Sequence, residues 1–223
     1  IIRLYSPLTK AINMILVMML LMILPSFIVL KHAPDMIYLV PLTISSILRM
    51  TFFDARVAIY VQTLILIIIS LAVPNSFQFF VIQFFASLVS VFVLVNKYSR
   101  SKYFFTSAIV FVSYIILKVG IALIFDAGLE NVSWNDVGVF AMNALFTMLS
   151  LPLVFLFERV FGFVTDMTLL ELSNTNTPLL RKLASEAPGT FQHVMQVADL
   201  CEEALFAIGG NMLLARTGAM YHD

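Results

Sequence analysis

Of the three histidines in this 223-residue chain, two stand near its end: His193, within EAPGTFQHVMQVA, and His222, followed at once by Asp223. Their surroundings read as a pair of helices. Thr190 can cap a helix that runs to about Ile208, Gly209-Gly210 stop it, and Asn211 can cap a second helix through LLARTGAMYHD. Rising about 15 residues after His193, turning, and descending about 12 residues at 1.5 Å each returns the chain to its starting level. An antiparallel pair of this kind sets one imidazole beside an adjacent imidazole and carboxylate. Neutral imidazoles suit divalent iron, manganese or zinc, and a carboxylate can bridge two ions. Against this, a histidine at a helix start is more commonly a surface or capping residue, and a His-Asp pair also arises by chance. Spacing alone leaves both readings open.

The elements that must hold this constellation follow a long apolar stretch. The chain is 61% hydrophobic and 12% charged, against roughly 45–50% and 25% in an ordinary soluble domain. Its mean hydropathy is +1.00. This is the composition of an integral membrane protein. Six apolar runs cover 11–30, 36–53, 56–73, 77–96, 103–125 and 135–157. Each has the length, about 18–23 residues, that crosses a hydrocarbon core as helix. The runs are solidly apolar rather than alternating, which argues against a β-barrel. Zero net charge without a basic face argues against a nucleic-acid polymer as partner. Cys201 is the only cysteine, so no internal disulfide can form, and its neighbours make it a small filler on a helix. The opening IIRLYSPLTK lacks an initiator Met, and the first apolar run is too long for a cleaved signal peptide, so the sequence reads as a piece of something larger.

Basic residues near the span ends set an orientation. One set of loops holds Arg3, Lys10, Arg49, Arg56, Lys97, Arg100, Lys102 and Arg159. The opposite set holds Lys31 beside Asp35, Asp126, Glu130 and Asp136. The first set is expected in the cytoplasm, with Trp134 and Tyr38 at the outer boundary. Lys118 is read as the one basic residue inside a span; it either snorkels to the surface or serves a ligand. Pro25, Pro41 and Pro152 are expected to kink their helices. Interrupted spans paired with intramembrane acids are missing from the pattern, which weakens a transporter reading.

Beyond Phe157 the composition changes. ERVFGFVTDMTLLELSN has apolar residues at helical spacing and suits a connector that lies on the membrane or pairs with another subunit. Thr177 can cap, and Pro178 start, a short helix through Arg181 and Lys182, closed by APG. The expected fold is therefore all-α: a polytopic membrane bundle of six helices at 1–157, a cytoplasmic connector at 158–177, and the beginning of a soluble all-helical domain at 178–223.

Three patches in the last third carry a family likeness: LLELSN-x-N-x-PLLR, EAPGT-(aromatic)-x-H, and N-x-LLAR-x-GA-x-YHD. Over about 55 consecutive residues with matching spacing, this part resembles the start of the HD domain in the seven-transmembrane HD family, membrane phosphodiesterases that hydrolyse cyclic di-AMP. The membrane part resembles that family in layout only. The resemblance implies that His193 and His222 are metal ligands and that Asp223 bridges two ions, a divalent pair of iron or manganese. Where many members have His-His, this chain has Gln192-His193; the ligand aligns with the second position, so the substitution leaves the metal set intact. Further ligands of the HD signature fall downstream of Asp223, so the HD domain is truncated here and these 223 residues alone are expected to hydrolyse nothing.

The resemblance further implies a cyclic dinucleotide as substrate and an extracellular ligand acting through a domain outside this chain; the apolar runs imply the lipid bilayer as surroundings, and the amphipathic connector suits assembly as a homo-oligomer. The membrane helices would pass a signal to the cytoplasmic HD domain. The alternative is a non-catalytic membrane receptor with a degenerate HD domain, which would lack the downstream ligands.

Overall fold

The structure is a computed structural model that describes residues 2–95, 100–125 and 133–222, with side chains from residue 8 onward. Lys97, Asp126 and Glu130, used above for orientation, fall outside this set, as do the side chain of Arg3 and the whole of Asp223. The described residues are helical, with no strand among them. The chain divides into two compact units, Ile1–Phe163 and Val164–Asp223.

The first unit holds α1 (Ile2–His32), a 3-10 helix (Pro34–Leu39), α2 (Thr43–Phe52), α3 (Ala55–Ser70), α4 (Ser76–Leu94), α5 (Ser101–Phe125), α6 (Trp134–Thr147) and α7 (Ser150–Phe161). Five stretches are long and apolar enough to cross a membrane: Leu8–His32, Pro34–Phe52, Ser76–Leu94, Ser101–Phe125 and Trp134–Phe161. The chain is a multi-pass membrane protein. The remaining apolar run folds as α3, whose 16 residues reach about 24 Å at 1.5 Å each.

The prolines act in three ways. Pro25 lies within α1, which continues through it. Pro41 sits in the break between the 3-10 helix and α2. Pro152 occupies the first turn of α7, where its missing N–H costs no helical bond, and the last apolar run divides at Met148–Leu149 just before it.

The non-helical link before α2 would leave carbonyls unpaired in an apolar medium, a cost that membrane proteins avoid by burying and satisfying such backbone. Asn143 Nδ2 donates to the carbonyls of Tyr38 and Val40, at 2.7 and 3.1 Å. Gln62 Nε2 donates to Leu42 O at 3.1 Å. Ser46 and Ser90 bond across α2 and α4 at 2.9 Å, and Thr43 and Thr147 across α2 and α6 at 3.0 Å.

Two expectations change here. Arg49, placed by its sequence position among basic residues at span ends, is 0% exposed inside the bundle, where it donates to Ser45 Oγ at 2.6 Å and to Gln62 Oε1. Its residue spacing put it near a predicted boundary, but the short α2 turns that boundary inward. Tyr38, expected in an aromatic belt, is half-buried between Phe79 and Phe140, with ring centroids 5.7 and 5.6 Å away. Trp134, at the start of α6, is 90% exposed. Lys118 pairs with Asp136 at 3.6 Å, and Asp136 also completes a capping box with Ser133 at the start of α6.

The second unit holds α8 (Asp166–Leu172), α9 (Pro178–Glu186), α10 (Pro188–Ala207) and α11 (Met212–Met220). The stretch 158–177 holds the end of α7 and all of α8. Glu158–Phe161 completes α7, Gly162 ends it in the left-handed conformation (φ +68°), and α8 begins after Thr165, whose side chain accepts from Thr168 N.

Candidate functional site

The site is built on the α10–α11 hairpin. Phe191, Met195, Ala198 and Cys201 recur at helical spacing on α10 and pack with Leu180 and Leu183 of α9 and with Ala219 and Met220 of α11. This single apolar stripe explains why α9, α10 and α11 fold together. Cys201 is part of it, as the expected filler.

The hairpin turn has a specific geometry. Gly209 is left-handed (φ +71°). Its N–H bonds Phe206 O at 3.2 Å, and the N–H of Gly210 reaches back to Leu205 O at 2.8 Å. That is a Schellman motif, which satisfies two of the last carbonyls of α10 and reverses the chain. Asn211 then caps α11, its side chain accepting from Leu214 N at 2.9 Å. These two caps agree with the sequence expectation. The expectation for Thr190 does not hold: α10 starts at Pro188, with Ala187 at the cap position and no side-chain cap. Pro188-Gly189 therefore opens the helix rather than preceding it, because proline is accommodated at the first helical position. His193 consequently lies in the second turn.

Arg216 fastens the two helices. It donates to Asp199 Oδ1 at 2.8 Å and to Glu202 Oε2. The Glu202 hydrogen bond, opposed by partial burial and aided by Asp199, raises the guanidinium pKa. A raised pKa places any loss of this contribution on the alkaline side, so the fastening persists across neutral pH.

With the hairpin set, the rings of His193 and His222 come within 6.1 Å centroid to centroid, at an interplanar angle of 57°. Both residues are exposed, and so is Gln192 beside His193. Nδ1 of His222 lies 2.6 Å from Ala219 O. A carbonyl can only accept, so in the neutral ring this nitrogen carries the proton and Nε2 the lone pair. Such an outer contact is the usual way a ligating imidazole is oriented. The donor chemistry of two imidazoles suits a divalent transition metal. Among the described residues no group of three or more His, Cys, Asp or Glu could hold a metal ion. Asp223, the third residue of the expected set, lies outside the described residues.

The sequence reading missed the polar contacts that brace this hairpin. Ser173, just past α8, lies 2.6 Å from Thr217 Oγ1. Thr217 also donates to Leu169 O at 3.2 Å, and Tyr221 donates to Leu172 O at 2.9 Å. The available signal was the i, i+4 spacing of two hydroxyl residues, Thr217 on α11 and Tyr221 at its C-cap.

Comparison with known proteins extends the likeness into the membrane part. The cyclic-di-AMP phosphodiesterase PgpH of Bacillus subtilis (strain 168) is 34% identical over 194 residues, which are 83% of this chain and 27% of that protein. PgpH of Listeria monocytogenes serotype 1/2a is 47% identical over 76 residues, 34% of this chain and 11% of that protein. The uncharacterized protein slr0104 of Synechocystis sp. is 56% identical over 66 residues, 30% of this chain and 8% of that protein. The chain thus spans about a quarter or less of the length of these relatives. No solved structure matches it. The family model described as a 7TM receptor with intracellular HD hydrolase matches residues 2–165, so the likeness in the membrane part is one of sequence as well as layout, and the chain belongs to that family.

Proposed function

We propose that this protein is a membrane-anchored, metal-dependent phosphodiesterase that opens cyclic di-AMP to the linear dinucleotide. The observation that carries the reading is the approach of His193 and His222 across the α10–α11 hairpin, at 6.1 Å, in a chain 34% identical to a protein named as a cyclic-di-AMP phosphodiesterase. His193 and His222 would hold the metal through their imidazoles, and Asp223 would add a carboxylate to them. A divalent pair, iron or manganese, supplies Lewis acidity and a water nucleophile near neutral pH when bound. The protein's part is to present neutral, correctly oriented nitrogens. The Ala219 carbonyl does this for His222, by holding the Nδ1 proton.

The HD side faces the cytoplasm in this reading. Lys10, Arg56, Arg100, Lys102 and Arg159 support that orientation; buried Arg49 no longer contributes to it. The membrane helices pass a signal from an extracellular ligand to the HD domain, and the protein works as a homo-oligomer.

The test is metal analysis and cyclic-di-AMP turnover on the full-length protein in detergent. The unsubstituted protein should retain iron or manganese and release the linear dinucleotide. His193→Ala and His222→Ala should each lower metal affinity by about 100-fold or more, beyond the effect of removing an outer contact. Full-length protein that takes up no metal and turns over no cyclic dinucleotide would instead be the non-catalytic receptor.

A further inference from the structure

The end of α8 is joined to the face of α11 that leads to His222. Carbonyls in the last turn of a helix lack amide partners within it. Here Leu172 O takes its hydrogen bond from Tyr221 Oη at 2.9 Å. Thr217 Oγ1 donates to Leu169 O at 3.2 Å and accepts from Ser173 Oγ, 2.6 Å away, while the Ser173 N–H reaches the same carbonyl at 2.9 Å. Thr217 is buried, at 5% exposure. Thr217 and Tyr221 lie one helical turn apart, so both hydroxyls reach the same short stretch of α8. His222 is the residue after Tyr221, and its ring is tied to Ala219 O in that same last turn. His193 stands on α10, which α11 meets through the apolar stripe and Arg216.

We infer that Thr217 and Tyr221 are positioning residues through which α8 sets where His222 stands relative to His193. This rests on the metal-site reading above. The pair of imidazoles then has two independent supports: α10 carries one ring, and the α8 end steers the other through hydroxyl-to-carbonyl bonds. A displacement of α8 changes the gap between the rings. In the chain only residues 162–165 separate α8 from α7, and Gly162 among them is left-handed, at φ +68°. The regulation this implies is adjustment of metal affinity by the position of α8, with no change in the ligands themselves.

The experiment uses the full-length protein in detergent and Mn2+ as the probe, titrated by electron paramagnetic resonance. Thr217→Val keeps the shape and removes the hydroxyl; it should weaken Mn2+ binding about 10-fold, the lower range for an outer contact. Tyr221→Phe removes one bond at an accessible rim and should weaken binding about threefold. Thr217→Ser restores the hydroxyl and should stay within about twofold of the unsubstituted protein. Thermal unfolding of each variant separates a folding loss from a metal-affinity loss, and if Thr217→Val fails to fold, Tyr221→Phe decides. Wild-type Mn2+ affinity in folded Thr217→Val and in Tyr221→Phe would overturn the positioning role alone. Failure of His193→Ala to weaken Mn2+ binding would overturn the metal-site reading and this inference together.

Discussion

The two units handle polar side chains in opposite ways. In the membrane unit, Arg49, Gln62, Gln83, Asn143 and several hydroxyls are withdrawn from the surface and spent on one another and on irregular backbone. In the second unit, His193 and His222 face outward, near each other and beyond the apolar stripe. The difference follows from the surrounding medium. Apolar surroundings penalise every unpaired polar group, so burial there signals structure. Exposed groups face no such demand, so two exposed imidazoles held near each other by a fastened hairpin are what the proposed metal site rests on.

The comparison breaks first at Gln62. Replacing it with Leu removes one of the two acceptors of Arg49 and the donor to Leu42 O and Ser87 Oγ, leaving a buried guanidinium held only by Ser45 Oγ among its hydrogen bonds described above. A loss of about 3 kcal/mol is expected, read as a large drop in the thermal midpoint of the detergent-solubilised protein. The double variant Arg49→Met with Gln62→Leu should recover much of it, because an apolar pair leaves no charge to satisfy. Little loss in the single variant would mean that the buried network is not what holds α2.

A smaller effect is expected at Gly209. Alanine there must adopt φ +71°, a conformation that costs an L-residue about 1 kcal/mol. Gly209→Ala should lower the stability of the hairpin by that amount and slightly weaken Mn2+ binding, since the turn sets the register of the two rings. Unfolding by heat and the same metal titration would check both.

The smallest effect belongs to Arg216. Its side chain is 26% exposed, and its partners Asp199 and Glu202 are 61% and 41% exposed. Solvent and salt screen such pairs, so Arg216→Met should cost about 0.5–1 kcal/mol and the difference should shrink in high salt. A salt-independent loss of several kcal/mol would place the hairpin's fastening in the ion pair rather than in the apolar stripe.

Much of this was legible without coordinates. The apolar runs alone required membrane-spanning helices, because only helices and closed barrels satisfy backbone in lipid. Gly209 and Asn211 marked the turn and the second cap through local chemistry that needs no partner. The His193 and His222 pairing followed from helix rise and a reversal, both local quantities. Thr190 misled because Pro188 and Thr190 both fit a helix start, and only one could occupy it.

What tertiary structure alone decided is where long-range partners meet. Nothing in the order of residues says that Arg49 turns inward to Ser45 and Gln62, that Asn143 supports carbonyls about a hundred positions earlier, or that Thr217 and Tyr221 reach α8. Periodicity encodes which face of a helix is apolar, whereas the partner of a lone polar group depends on the packing of every helix around it. The sequence by itself determined the helices, the hairpin turn and the closeness of His193 to His222; the packing decided which polar groups brace them.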